Sequence, residues 1–475
     1  MRYGNVKVIG VSENPITMTG AAARISHMSG TAYDVLKSVE RMDVEDVVKM
    51  IKRVPHPSIL EHCYINMMFT DVSMFVEQYM IETRLAAFTV KSRRYVNFGD
   101  AGFNVPDFSY IEDEDKQALA YLTYNTAMNC FNEYNSFVSK GVPVEDARYV
   151  LPYSFKSNFF VSMDARNYVD LIVDMVAGEG SIYPEIKFYG EQLKDYFTLE
   201  LGFVDIDRII ERTQPRGNLN FDLSNGKRSN DLPLVELKDI SHNIKDTILT
   251  EFLHASGSQL DSESEARLIA NLSDEEFDNI MRVILKSKRQ RELEQIHMRF
   301  TINDISLANY THLTRHRMQS LNTPNLLNVV DFDKYIIPDS LIPYKDTYTS
   351  IYRNTKYCWE KLKEYGVRDE DRVYLFICGC SIPVTTSMNA AEFLHMAQLR
   401  CCNRAQSEIR RIVNEMLLIL KKRDPQVFRY FGPSCSVSGV CPEGRMSCNQ
   451  VGHMQEVYYF TDDTYRLENY LKTAK

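Results

Sequence analysis

The stretch "ELEQIHMRFTINDISLANYTHLTRHR" (292–317) decides the architecture, because the chain carries it twice. Residues 59–84, "ILEHCYINMMFTDVSMFVEQYMIETR", show the same order of features 233 residues earlier, Arg84 standing where Arg317 stands. In each copy a polar pair, Glu61-His62 or Glu294-Gln295, opens a strand-like alternation at "CYINMMFTD" or "IHMRFTIND". Side chains two apart share one face of a strand, so such alternation marks a half-buried sheet. A helical segment follows and ends in arginine.

Working outward, the flanking blocks repeat in the same order. Residues 6–30 match 235–257, and 146–175 match 370–400. The period is far too long for a solenoid unit, so the pattern is a domain duplication within one chain. The expected division is a first repeat over 1–211, a linker over 212–233, a second repeat over 234–430 and a cysteine-bearing tail over 431–475. The linker is rich in Asn, Gly, Pro and Ser, the residues of loops. A length of 475 residues agrees with a few domains or two large ones.

Hydrophobic content of 44% and charged content of 25% are those of a globular chain with a sizeable core. A net charge of −9 argues against a nucleic-acid polymer or a membrane surface as partner. The start "MRYGNVKVIG" lacks an apolar core of signal-peptide length, and no run is long enough to span a bilayer. The expected location is cytoplasmic, where most of the ten cysteines stay reduced. Seven of these lie in apolar or mixed context and are expected in the core.

Arg315, His316 and Arg317 stand side by side, followed by Ser320 and Asn322. Adjacent cations repel unless an anion sits among them, and arginine's planar fork suits phosphate or a nucleobase edge. A solvated cationic helix end is the competing reading.

The surrounding pattern resembles the flavin-dependent thymidylate synthases, whose signature runs RHRxxSxNxxSxRY. The second repeat keeps Arg315, His316, Arg317, Ser320 and Asn322, but has Asn325 and Leu327 at the later Ser and Arg. The first repeat is complementary: Arg84 is what remains of its front half, and Ser92, Arg94 and Tyr95 keep the back half. The family's HxSxLEH motif appears as His56, Ser58, Leu60, Glu61 and His62 in the first repeat, with Arg289 and Arg291 in the second. The "ARxVLP" arginine is Arg148, and less securely Arg372. The family's LRxxxxAQxEIR block is "LRCCNRAQSEIR", with Arg400 at the arginine that engages uracil and Met175 at the same place in repeat one. The Asn-x-Arg flavin contacts fall on Asp164 to Arg166 and on Asn389 to Ala391, with Asp170 or His395 downstream.

The resemblance implies an α+β fold of two homologous domains, each a mostly antiparallel sheet packed with long helices. It implies conversion of dUMP to dTMP, with methylenetetrahydrofolate giving the carbon and NADPH-reduced FAD the hydride. Arg400 would be catalytic, stabilising charge on the uracil, although an arginine on a helix with apolar spacing at Met396, Leu399, Ile409 and Ile412 also reads as a surface or salt-bridge residue. Ser92, Arg94, Arg148 and Arg372 would bind substrate. His56, Ser58, Arg84, Arg166, Arg315, His316, Arg317, Asn322, Asn389 and His395 would bind FAD. Since the family is a homotetramer with sites at subunit interfaces, complementary repeats imply shared sites and a homodimer mimicking that tetramer. Two alternatives stay open: a related enzyme alkylating or hydroxymethylating another pyrimidine nucleotide, and a non-catalytic flavin- or nucleotide-binding protein.

The tail "FGPSCSVSGVCPEGRMSCNQVGH" (431–453) reads as loop. Cys435, Cys441 and Cys448, with His453, Cys401 or Cys402, are a candidate zinc set. The spacing lacks the usual C-x2-C, and reduced thiols or a labile disulfide fit equally.

Overall fold

The computed structural model describes residues 3–54, 56–215, 232–458 and 465–473, so most of the expected linker lies outside the described residues. Two four-stranded sheets form, from β1 (Asn5–Val11), β2 (Tyr64–Ser73), β3 (Ala87–Val90) and β4 (Lys156–Asp164), and from β5 (Val235–Ile240), β6 (His297–Ser306), β7 (Ser320–Asn322) and β8 (Ser381–Asn389). Their orders correspond, β1-β2-β4-β3 and β5-β6-β8-β7, and every pair is antiparallel. The fold is α+β, as the family resemblance implied, and the alternating stretches "CYINMMFTD" and "IHMRFTIND" fall on β2 and β6.

The likeness reaches individual bonds. Ser12 exchanges hydrogen bonds with the backbone of Tyr64, and Ser241 does the same with His297. Asn14 and Asn243 both take the left-handed conformation, φ 49°, before the first helix of their repeat, a region asparagine tolerates better than most residues. Irregularities fall at Val8/Gly10 and Leu237/Asp239, and at Phe69/Val72 and Ile302/Ile305.

Inward positions of the long strands, Ile65, Met67 and Phe69 in β2 and Met298, Phe300 and Ile302 in β6, are buried. Helices follow β4 and β8: Ala165–Ala177 with Pro184–Glu200, and Ala390–Arg400 with Ser407–Arg423. Each second helix carries a hydrogen-bonded glutamate that sequence reasoning passed over, buried at Glu185 and half-buried at Glu408. Glu185 accepts from the Ser73 amide (3.0 Å) and the Tyr374 hydroxyl (2.8 Å). Glu408 accepts from the Ser306 amide and hydroxyl (both 2.7 Å) and from Asn309 Nδ2 (2.8 Å). Ser73 and Ser306 each cap the helix after the long strand, so the glutamates pin the strand-to-helix turns that precede Arg84 and Arg315.

By packing, the chain divides into one unit of Met1–Lys227 with Val330–Cys380, and another of Arg228–Val329 with Ser381–Lys475. Val330–Cys380, part of the second repeat by sequence order, therefore folds with the first unit. There the helix Lys345–Glu364 packs on Asp113–Ser139, with Phe108, Leu119, Cys358, Leu362, Val367 and Leu375 in one cluster. The equivalent segments of the two repeats also pair with each other: Tyr153 N donates to Phe376 O (2.6 Å), Ser154 N to Tyr374 O (3.0 Å) and Cys378 N to Leu151 O (2.9 Å).

The tail is not all loop. Ser434–Ser438 and Val451–Tyr458 are helical, with Cys435, Met454, Val457 and Tyr458 buried. Among the described residues no helix is long and apolar enough to cross a membrane.

Candidate active site

In the second unit the arginine pair lies beyond its helix, which ends at Leu313. Residues 314–319 form a turn, fixed from inside by the buried Gln319. Its Nε2 donates to Leu313 O (2.5 Å) and its Oε1 accepts from Thr386 Oγ1 (2.7 Å). Arg315 and Arg317 are exposed, while His316 between them is buried.

Arg400, the last residue of its helix, reaches this turn. Its Nε donates to His316 Nε2 (3.0 Å) and its Nη2 to His312 O (3.4 Å). Behind His316, Nδ1 lies 3.3 Å from Oε1 of the buried Glu392. His395, exposed, meets the His316 ring edge-on at 5.9 Å between centroids. Burial pushes the His316 pKa below its usual value, Arg400 and His395 add to this, and Glu392 opposes it. The imidazole is therefore neutral, with a lone pair available to Arg400.

A groove of about 690 Å³ runs over the exposed face of the second sheet, lined by His242, His297, Arg299, Ser320, Ser387 and Asn389 among others. Asn389 also caps the helix Ala390–Arg400, accepting from the Glu392 amide (2.9 Å). Asn322 is exposed on the edge strand β7. Asp239, the cross-strand neighbour of Arg299, lines the groove too.

The first unit holds a separate cavity of about 400 Å³. His56, Lys52 and Arg166 stand among apolar walls that include Ile59, Leu60 and Phe203. Arg166 Nη1 pairs with Glu61 Oε1 (2.7 Å). Asp170 lines the same cavity, and burial raises its pKa. Ser58 is exposed on the turn Pro57–His62, and Arg84 is exposed beyond the helix Met74–Ile81.

Elsewhere in this unit Ser92, Arg94 and Arg148 gather around Glu145. Arg94 N–H donates to Ser92 Oγ (3.3 Å), Arg94 Nε pairs with Glu145 Oε2 (2.6 Å), and the buried Arg148 donates Nε–H to Glu145 O (3.0 Å). Burial and the neighbouring Arg93 make Arg148 a costly cation here, one that an anion would relieve. Arg372 does not resemble Arg148 in its surroundings: it lies over the Trp359 ring (4.3 Å) and pairs with Asp369.

The profile of the family described as "Thymidylate synthase complementing protein" matches residues 7–198 and 241–426. The chain belongs to this family. A flavin-dependent thymidylate synthase of Clostridium tetani is 30% identical over 208 residues, 40% of this chain and 83% of that protein. A flavin-dependent thymidylate synthase of Geobacter sulfurreducens is 31% identical over 181 residues, 37% of this chain and 78% of the relative. A crystal structure of a UMP/dUMP methylase PolB from Streptomyces cacaoi, bound with 5-Br dUMP, has 21% identity and a TM-score of 0.36, covering 44% of this chain and 94% of that one.

The two repeats of this family member keep different groups. At the places of His297, Arg299, Ser320 and Asn389 the first sheet has Tyr64, Asn66, Ala87 and Asp164. His297 and Arg299 were not singled out in the sequence, although their alternation with Met298 and Phe300 turns both to the exposed face. Glu392 and Glu145 were missed as well, since neither has a local motif.

The tail cysteines do not form the expected ligand set. Among the described residues no three His, Cys, Asp or Glu side chains are placed to hold a metal ion. Cys435 is buried, Cys441 and Cys448 are half-buried, and all ten cysteines are free thiols. Cys402, expected in the core, is also only half-buried.

Proposed function

We propose that this chain is a flavin-dependent thymidylate synthase converting dUMP to dTMP, with methylenetetrahydrofolate as carbon donor, FAD as flavin and NADPH as its reductant. The observation that carries the reading is Arg400 held against the RHR turn by a neutral His316. An arginine held in advance at a developing negative charge costs no reorganisation when the charge forms. Family membership and the thymidylate synthase names of the relatives supply the reaction class.

The cavity around His56 and Arg166 fits part of a flavin cofactor: apolar walls suit a ring, and Arg166 suits a phosphate or ring oxygen. When bound, the flavin supplies hydride. The chain's own residues bind and orient. Ser92, Arg94 and Arg148 hold the nucleotide phosphate, Arg94 exchanging Glu145 for it. Arg315, Arg317, Asn322, Asn389 and His395 border the second sheet and its turn as cofactor contacts. Arg400 stabilises charge on the pyrimidine.

Purified protein is expected to be yellow, to bleach with NADPH and to form dTMP from dUMP and methylenetetrahydrofolate. Arg400→Ala should keep its flavin and lose roughly a hundred- to thousandfold in kcat. Normal turnover in that variant refutes the role of Arg400. Flavin without dUMP-dependent turnover favours a different pyrimidine nucleotide as substrate, and protein that takes up no FAD favours a non-catalytic binding role.

A further inference from the structure

Glu392 has no part in the signature that named Arg400, yet it is a buried acid with one evident purpose. It lies two helical turns before Arg400 on the helix Ala390–Arg400, hence on the same face. A carboxylate out of water is costly unless a donor meets it. Among the described residues Glu392 Oε1 has no other hydrogen-bond partner, and neither has His316 Nδ1, which stands 3.3 Å away.

The far side of the ring fixes the proton. Arg400 Nε–H can only donate, so His316 Nε2 must accept at 3.0 Å. A neutral imidazole that accepts at Nε2 carries its proton on Nδ1, facing Glu392. A proton on Nε2 would set N–H against N–H and turn the guanidinium away. We propose that Glu392 is a positioning residue, holding His316 in the Nδ1–H form so that Nε2 orients the Arg400 guanidinium. The proposal deepens the thymidylate synthase reading and rests on it for the role of Arg400.

The first repeat supports the three acting as a set. Asp164 and Asn389 cap equivalent helices through the same bond to the third residue. Counting from those caps, Asn167 and Met175 stand at the places of Glu392 and Arg400, and Thr83 stands at that of His316. The acid, the imidazole and the guanidinium are all missing together. Asn167 there turns back to its own cap, donating Nδ2–H to Asp164 Oδ2 (2.6 Å).

The test is nitrogen NMR of the full-length protein labelled with ring-15N histidine, the His316 signals being assigned with His316→Asn. Wild type is expected to show His316 neutral and protonated on Nδ1. Glu392→Leu should move the proton to Nε2 and lower kcat roughly ten- to a hundredfold, with flavin content and the KM for dUMP unchanged. Glu392→Gln, whose amide oxygen can still accept, should restore both the tautomer and most of kcat. A wild-type proton on Nε2 overturns the proposal, whether or not the leucine variant folds. So does a Glu392→Leu protein that keeps tautomer and kcat. The tautomer is read without substrate, so the expected NMR pattern in a protein that makes no dTMP would sink the activity and leave the hydrogen-bond assignment standing.

Discussion

His297 and Arg299 sit on alternate residues of β6, and the pleat sends both outward while Met298 and Phe300 go into the core. On a strand read alone, such cations are an ordinary solvated face. Only the neighbouring strands, which add Ser320 and Ser387, make a groove of them. A charge-assisted bond there is worth roughly 1.5–3 kcal/mol. Arg299→Ala should therefore weaken retention of a phosphate-bearing ligand by about tenfold or more, measured by calorimetric titration of FAD and dUMP, while Asn66→Ala at the matching place of the first sheet changes nothing. Equal losses in both variants would remove the groove from the ligand's path. Arg400 shows the same limit of legibility. Its sequence context allowed a salt bridge or a site, and its partner His316 is 84 residues away. Leu399, counted with the apolar spacing, is in fact exposed.

The sequence set Met396, Leu399, Ile409 and Ile412 on one helix, but the structure breaks it at 401–406 into Ala390–Arg400 and Ser407–Arg423, and one inward position of the second is a lysine. Lys421 is buried and donates to the carbonyls of Arg429 (3.4 Å) and Tyr458. Burial lowers its pKa from 10.5 to about 7. Between these values the unfolded chain holds a proton that the folded chain lacks, so stability rises with pH across that window. Below pH 7 both states are protonated and this contribution to the slope vanishes. Thermal melts from pH 7 to 9 should show a rise in wild type, at most about 1.4 kcal/mol per pH unit from this group, that is reduced in Lys421→Met. Parallel pH profiles in the two proteins would show that Lys421 is not the source. The long strands were plain from alternation, while β7, of three residues, is too short to show any, and the tail stretch 431–453, rich in Ser, Gly and Pro, reads as loop although Ser434–Ser438 and Val451–Tyr458 are helical once packed.

At the scale of the molecule, the repeat in the sequence and the unit in space differ. Tyr149, Leu151, Tyr153 and Ser154 find backbone partners in 374–379, and the cluster around Phe108 and Leu119 is closed by the helix Lys345–Glu364. A fragment of residues 1–215 loses all of these and leaves buried backbone groups unpaired. It should lack the cooperative melt of the full chain when both are followed by circular dichroism. A sharp, reversible transition in the fragment would show that Val330–Cys380 is dispensable to the first unit. The sequence by itself carried the repeated order of motifs, the alternation of the long strands and the cationic run Arg315 to Arg317, because alternation and short motifs are local and survive divergence; the α+β class came with the family resemblance, and the turn that holds the arginines beyond Leu313 came from the structure. Tertiary structure alone decided that Arg94 meets Glu145, that His316 stands between Glu392 and Arg400, and that Val330–Cys380 joins the first unit. Contacts between residues dozens to hundreds of positions apart leave no local pattern, and exist only where packing has met the entropic cost of closing the chain between them.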